Sequence, residues 1–349
     1  MLGISKRQAE DLLHMACKNG QLSLIKNLLK AKVNINAMNA EGLSPLHMAV
    51  IEGNIEVTNL LISEGANIEM KDSFALLYAC ENGRTKIVKI LLENGADINS
   101  KINDGTSAIH LAASSGKLDL IDFLLQKGFD INCENNDRLT PLHYTLLYCI
   151  HPEGKDTSLY EKSKILIERG AKIDSESSVG DTPLMLATMA NDIRVVRLLI
   201  SLGATVNHGK NHFKITPLHV AACFKIGEND LMIMQVLIDN GAEVDAQSGT
   251  ALITPLHANI WSHGSIKSAR VLLENGAKLL YKNFYGNTAF PLAVGYHNTE
   301  FINLALEFQP SLVASLNKRR DFPMEYALQV KNESALRMIT YHCHKYTFI

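Results

Sequence analysis

A nine-residue phrase, LLENGADIN at residues 91–99, returns along the chain as LLQKGFDIN (124–132), LIERGAKID (166–174), LISLGATVN (199–207), LIDNGAEVD (237–245) and LLENGAKLL (272–280). Its glycine recurs as Gly65, Gly95, Gly128, Gly170, Gly203, Gly241 and Gly276, at spacings of 30 to 42 residues. A second landmark stands upstream of these glycines: SPLH at 44–47, SAIH at 107–110, TPLH at 140–143, TPLM at 182–185, and TPLH again at 216–219 and 254–257. Self-similarity of this kind constrains the fold more than any local propensity. A unit so short cannot bury its apolar face alone and must stack on the next copy.

Between the landmarks lie two apolar stretches at helical spacing, as in PLHMAVIEGNIEVTNLLISEG (45–65). Each unit therefore reads as helix, tight turn, helix and extended loop. In TPLH the hydroxyl caps the orphan amides of a helix start, and proline fits the first turn. Small residues follow (Ala49, Ala112, Ala113, Ala187, Ala221 and Ala222), which lets neighbouring helices approach closely. Gly20, Gly53, Gly83 and Gly116 end the first helix, where a left-handed residue is wanted. The second helix, as in IVKILL (87–92), carries one apolar face and stops at the glycine of the phrase. Ile98, Ile131, Ile173, Val206 and Val244 are expected to tuck under the loop that follows.

The pattern resembles the ankyrin repeat in its period of about 33 residues, its T-P-L-H, its alanine pair, its mid-repeat glycine and its L-L-x-x-G-A-D-V-N ending. The resemblance implies an all-α fold, a solenoid of stacked helix-turn-helix units with β-hairpin loops and a concave face. It implies one ankyrin-repeat domain over 1–349, with repeats near 8–36, 37–69, 70–99, 100–132, 133–174, 175–207, 208–245, 246–280 and 281–315. A degenerate C-terminal cap follows at 316–349. The unit at 70–99 is short and reads FALLY where TPLH is expected, so its hairpin should be stunted. Extra residues in CIHPEGKDTSLYEK (149–162) and around KIGEND (225–230) read as surface loops.

The repeats also dispose of most chemical readings. The slot of Asp97 holds Asn67, Asp130, Lys172, Thr205, Glu243 and Lys278 in the other copies. A metal ligand or general base cannot be exchanged for lysine, so the phrase is loop punctuation. His47, His110, His143, His219 and His257 share one slot, with His14 in the first unit. Successive copies lie about one repeat apart, too far to share a metal at ligand distances of about 2 Å. They read as hydrogen-bond bridges between adjacent loops. His342-Cys343-His344 reads as a tail, Cys80 and Cys223 as small core residues, and Lys318-Arg319-Arg320 as a solvated run. Phosphate-loop, dinucleotide, nucleophile-elbow and H-E-x-x-H motifs do not occur in the sequence. No catalytic residue, metal or cofactor is expected.

A net charge of −2 offers no pull toward nucleic acid or an anionic membrane. No apolar run approaches the roughly 18–20 residues needed to span a bilayer. Six cysteines without a C-x-x-C pair favour a reduced compartment, cytoplasmic or nuclear. The expected partner is another protein, met by a chain that is monomeric on its own.

In a repeat array the fold-determining residues recur and the functional ones vary. The resemblance places partner contacts at hairpin tips and on the inner helix surface. Tips fall near Ala40, Glu41 and Leu43 early in the chain, and near Phe213, Phe284 and Tyr285 later. Inner-helix positions before the mid-repeat turn run from Ile51, Glu81 and Ser114 to Tyr148, Phe224, Trp261 and Tyr296. These series are small, polar or acidic in the first half and aromatic from 148 onward. Aromatics make up only 6% of the chain, so their gathering at variable positions nominates Tyr148, Phe213, Phe224, Trp261, Phe284, Tyr285 and Tyr296 as partner-binding residues.

The first reading is thus a non-catalytic scaffold that binds a partner protein mainly through its C-terminal half. A second is a substrate adaptor for a ubiquitin ligase or other enzyme complex, although 316–349 shows no recruiting box. A third follows from the resemblance: ankyrin hairpin asparagines are targets of hydroxylation. Asn99 and Asn132 occupy the matching slot with an acid two residues earlier. The lean toward Asn, Lys and Ile suits an AT-rich genome and keeps a host-directed effector among the alternatives.

Overall fold

The computed structural model describes residues 5–70, 73–148, 158–209, 214–223, 228–315, 317 and 319–346. The chain divides into two compact units, Met1–Lys172 and Ile173–Ile349. The first holds five helix pairs: α1 (Lys6–Lys18) with α2 (Leu22–Lys30), α3 (Pro45–Glu52) with α4 (Ile55–Ser63), α5 (Ala75–Glu81) with α6 (Thr85–Glu93), α7 (Ala108–Ser115) with α8 (Leu118–Gln126), and α9 (Pro141–Tyr148) with α10 (Leu159–Glu168). The second holds α11 (Pro183–Met189) with α12 (Ile193–Ser201), α13 (Pro217–Cys223) with α14 (Glu228–Asp239), α15 (Pro255–Trp261) with α16 (Ile266–Glu274), α17 (Ala289–Gly295) with α18 (Thr299–Phe308), and α19 (Pro323–Gln329) with α20 (Glu333–Tyr346). Within each unit the first helices of successive pairs pack on one another, α1 on α3 through α7 on α9 and α11 on α13 through α17 on α19.

The helix starts follow from the Ser/Thr-x-x-His spacing. In α3 and α15 the hydroxyls of Ser44 and Thr254 accept the backbone amides of His47 and His257 at 3.4 Å. The imidazole Nδ1 atoms lie 2.8 Å from the same hydroxyls. The other ring nitrogen reaches the next pair. Nε2 of His14 lies 2.9 Å from the Leu43 carbonyl, that of His110 2.9 Å from Leu139, that of His219 2.8 Å from Ile253 and that of His257 3.3 Å from Asn287. A carbonyl only accepts, so in His110, His219 and His257 Nε2 donates and the tautomer is set with Nδ1 as acceptor, whereas Nδ1 of His14 faces the Glu10 carbonyl at 2.8 Å. Leu77, Met185 and Pro291 occupy this slot elsewhere and cannot make the bridge.

A second set of rungs comes from the last residue of the recurring phrase. The Asn36 carboxamide oxygen accepts the Asn67 amide (2.9 Å), Glu69 accepts Asp97 (3.0 Å), and Asn132 accepts Lys172 (2.7 Å). In the second unit Asp174 accepts Thr205 (3.0 Å), Asn207 accepts Glu243 (2.8 Å) and Asp245 accepts Lys278 (3.0 Å). The phrase is therefore more than punctuation: in six copies its final side chain ties one pair to the following one.

A third tie explains one of the mid-pair glycines. Arg84 lies over Gly53, whose φ is 80°, and donates Nε and Nη2 to the Ile51 carbonyl at 3.2 and 2.8 Å. A Cβ at Gly53 would sit 2.8 Å from that guanidinium.

Several loops before a helix pair close as hairpin turns around an asparagine five positions ahead of the cap. Asn39 donates its amide to the Leu43 carbonyl (2.9 Å), while its side-chain oxygen accepts the amides of Glu41 and Leu43. Asn135 repeats this with Asp137 and Leu139, and Asn317 with Arg319 and Asp321. This offset is readable in the sequence, but the search for landmarks passed over it.

The loop before α5 is short, as its missing residues imply, and it carries the two-stranded sheet of the described residues, β1 (Glu69–Met70) against β2 (Ser73–Phe74), with Glu69 opposite Phe74 and Met70 opposite Ser73. Three expectations need correction. In six loops the residue that packs most deeply is the alanine after the glycine (Ala66, Ala96, Ala171, Ala204, Ala242 and Ala277, all buried), whereas Ile98, Ile173, Val206 and Val244 are half-buried; where Phe129 replaces the alanine, Ile131 is buried as expected. A short methyl fits beneath the tight turn, and the branched chains lean outward. Leu43 is a buried hairpin base and not a tip. Residues 159–162 belong to α10 and 228–230 to α14, so both insertions are shorter loops than expected, with 149–157 and 225–227 outside the described residues.

Burial pushes the pKa of His110 and His219 below the ordinary histidine value, and that of His257 down to about 4. The unfolded chain takes up these protons first as pH falls below about 6.5. The stabilisation is complete above that value and, for His257, is lost between it and about 4, with a limiting slope of about 1.4 kcal/mol per pH unit; His110 and His219 act in the same direction. Thermal melts followed by circular dichroism across this window should show a falling midpoint, and His257→Gln should flatten the fall. Placing a donor in an empty slot, Met185→His, should stabilise the chain by roughly 0.5–1 kcal/mol in urea titrations. A lower urea midpoint would show that the α11–α13 joint is already fixed by apolar packing.

Candidate functional site

The residue after the histidine slot and those three to four positions later share one helix face. In the second unit this places Val220 and Cys223 of α13 beside Ala258 and Trp261 of α15. Met189 of α11 and the loop residues Ile215 and Ile253 complete an apolar groove of about 440 Å³. Its position is set from beneath by Asn259, which is buried and donates its side-chain amide to the carbonyls of Ala222 (3.0 Å) and Ser265 (3.2 Å). That bridge locks α15 against the end of α13 and so orients Trp261.

The polar groups in the groove are turned inward. The Ser248 hydroxyl accepts the Ile253 amide at 3.0 Å, the Ser262 hydroxyl donates to the Asn259 carbonyl at 3.2 Å, and His219 is committed to Ile253. Burial pushes the Cys223 thiol up and the His219 imidazole down, which keeps both uncharged near neutral pH. Cys223, expected to be a core residue, is instead half-buried in the groove wall because the inner helix face opens there.

The aromatic residues nominated from the sequence fall in separate neighbourhoods. Trp261, 47% exposed, lines the groove. Phe284 (67%) and Tyr285 (54%) stand on a loop tip, their rings edge to face at 5.5 Å. The Phe284 amide donates to the Ala251 carbonyl at 2.9 Å, which ties this tip to the preceding one. Tyr296 (40%) packs edge-on against His263 at 5.7 Å. Phe213 and Phe224 lie outside the described residues, as does the side chain of Tyr148.

The first unit carries a groove that the sequence reading missed. About 220 Å³ in volume, it is lined by Phe74, Tyr78, Ile102 and Tyr144 with Glu81 at its side. Tyr78 sits edge-on to His47 (5.5 Å) and Tyr144 to His110 (6.0 Å). Both tyrosines occupy the position after the histidine slot. The reading scanned only the helix ends; helical spacing of three would have added the turn before.

Asn99 and Asn132 differ in their engagement. Asn132 is half-buried, accepts the Lys172 amide and donates to the Gly170 carbonyl at 3.0 Å. Asn99 is exposed, and among the described residues its carboxamide makes no hydrogen bond.

Among the described residues no three His, Cys, Asp or Glu side chains come together as a metal site, and no helix is long and apolar enough to cross a membrane. A family model of ankyrin repeats matches residues 13–102, 100–153 and 146–248, more than half of the chain. The chain belongs to the ankyrin-repeat family. It is 34% identical over 115 residues to the mouse B-cell lymphoma 3 protein homolog, a stretch that is 31% of this chain and 26% of that protein. It is likewise 34% identical over 106 residues to mouse protein phosphatase 1 regulatory subunit 27, covering 29% of this chain and 69% of the relative. Among solved structures it resembles the human ASB11 ankyrin repeat domain, with a TM-score of 0.55, 27% identity, and coverage of 68% of this chain and 99% of that one. The chain thus matches about a quarter of the first of these relatives. Its ankyrin-repeat solenoid is of a kind that binds protein partners and is typically non-catalytic.

Replacing Asn132 by Ala should cost about 1 kcal/mol because two inter-repeat hydrogen bonds are lost, whereas Asn99→Ala should stay within about 0.5 kcal/mol of the parent. Urea denaturation of the two variants checks this ranking.

Proposed function

We propose that this protein is a non-catalytic interaction scaffold that captures a partner polypeptide through its second half, with Trp261 as the anchor. The observation that carries this reading is a half-exposed tryptophan on the wall of an apolar groove, at a position the repeat leaves free to vary. Trp and Tyr dominate interface energetics, and a soluble surface rarely exposes such a patch without use for it. Phe284, Tyr285 and Tyr296 would add contacts from a loop tip and an adjoining turn, with Tyr148, Phe213 and Phe224 as further candidates. The reading treats residues 1–349 as one ankyrin-repeat domain, monomeric until its partner binds, with no enzyme activity, cofactor or nucleic acid. A reducing compartment, cytosol or nucleus, goes with it.

Affinity capture from native extract should recover a specific partner with the parent chain and lose it with Trp261→Ala. The thermal midpoint should stay nearly constant, since a half-exposed side chain contributes about 1 kcal/mol or less. Loss of the fold together with binding would make Trp261 a core residue and defeat the reading.

A second reading, hydroxylation at Asn99, is favoured by one observation: its carboxamide is free of the rung that engages Asn132. Intact mass of the native protein would show the added oxygen. A native mass without it removes the idea.

A further inference from the structure

The proposed partner-binding role leaves the chemistry of the partner open, and the groove beside Trp261 narrows it. One residue in five of this chain is charged, yet among the described residues no Asp, Glu, Lys or Arg lines the groove. The Ser248 hydroxyl accepts the Ile253 amide, the Ser262 hydroxyl donates to the Asn259 carbonyl, and both ring nitrogens of His219 are engaged. A charged group entering here would lose its water and find no opposite charge among the described lining residues, which is costly. Apolar carbon, in contrast, gains contact with the Trp261 ring, Val220 and Ile253. The volume sets the size. A dry cavity of about 150 Å³ accepts one benzene-sized group, so about 440 Å³ has room for two bulky side chains.

We propose that the groove is an anchor site for two adjacent bulky, uncharged apolar side chains of a partner polypeptide. This rests on the reading of the protein as an interaction scaffold and specifies its partner. Fixed walls suit that role: α15 is tied to α13 through Asn259 and through the His219 bridge to Ile253, so the site exists before the partner arrives and little ordering is needed on binding.

Short random peptides displayed on phage and selected on the full-length chain test the assignment. Trp261, the single tryptophan of the chain, provides an internal fluorescent report. Enriched peptides should carry paired large apolar residues with no charge between them and should shift Trp261 emission to the blue. Ala258 lines the groove, so Ala258→Glu and Ala258→Gln add similar bulk with and without a charge. The Glu variant should weaken binding at least about tenfold relative to the Gln variant, and Trp261→Phe should retain most of it. Enriched peptides that are anchored by charged residues, or are indifferent to Ala258→Glu and Trp261→Ala, would overturn the groove assignment and leave protein binding elsewhere on the chain intact. A selection that yields no peptide, while neutral N-phenyl-1-naphthylamine still binds and quenches Trp261, would mark a small-molecule site and overturn both readings.

Discussion

Each helix pair in this chain is too small to stand alone, and at several joints the bond that makes it part of something larger is a histidine spanning two of them. At His110, His219 and His257 Nδ1 closes the helix start of one pair while Nε2 reaches the carbonyl that precedes the next. A single side chain thus fixes a cap, a tautomer and the distance between successive loops. Because it is buried it has to remain neutral, which links cohesion of the array to pH. The carboxamide and carboxylate rungs at the end of each recurring phrase work in parallel, on the opposite side of the loop. With both sets in place the side chains that are left over are free of structural duty.

That freedom is where function resides. Trp261 is oriented by Asn259 and by its place on α15, yet none of the conserved-by-repetition bonds passes through its ring. The groove it lines consists of what remains between tied elements: apolar side chains from three helices and two loops. Among the described residues its lining carries no Asp, Glu, Lys or Arg, and its His219 and Cys223 are held uncharged by burial. The smaller groove around Tyr78 and Tyr144 arises the same way from the first unit, with Glu81 as a charged wall.

The repeat landmarks made most of the fold legible, because the physics of one unit is repeated and errors average out. Ser44, His110 and Gly53 could each be given a task from spacing alone, and the structure assigns them those tasks. The rung at Asn132 was read as loop punctuation because its partner, Lys172, lies 40 residues away and no local pattern announces it. The hairpin-closing Asn39 and Asn135 were visible as an offset of five from the cap but went unused. Tyr78 and Tyr144 were missed for a different reason: which turn of the inner helix faces the groove depends on helix packing. The grouping of the late aromatics also lay beyond the sequence, since Trp261, Phe284 and Tyr296 sit on three different structural features.

By itself the sequence determined the unit, its helix starts and stops, the slot of the bridging histidine and the positions left free to vary. These follow from local rules, capping, left-handed glycine and helical period, that act within a dozen residues. Only the tertiary structure decided which phrase-ending side chains become rungs, that the loop before α5 pairs as strands, and that Trp261 overlooks an uncharged groove. Each of those depends on how closely two elements distant in sequence come to rest. That distance is set by the sum of packing and hydrogen bonds across the stack, which no single unit contains.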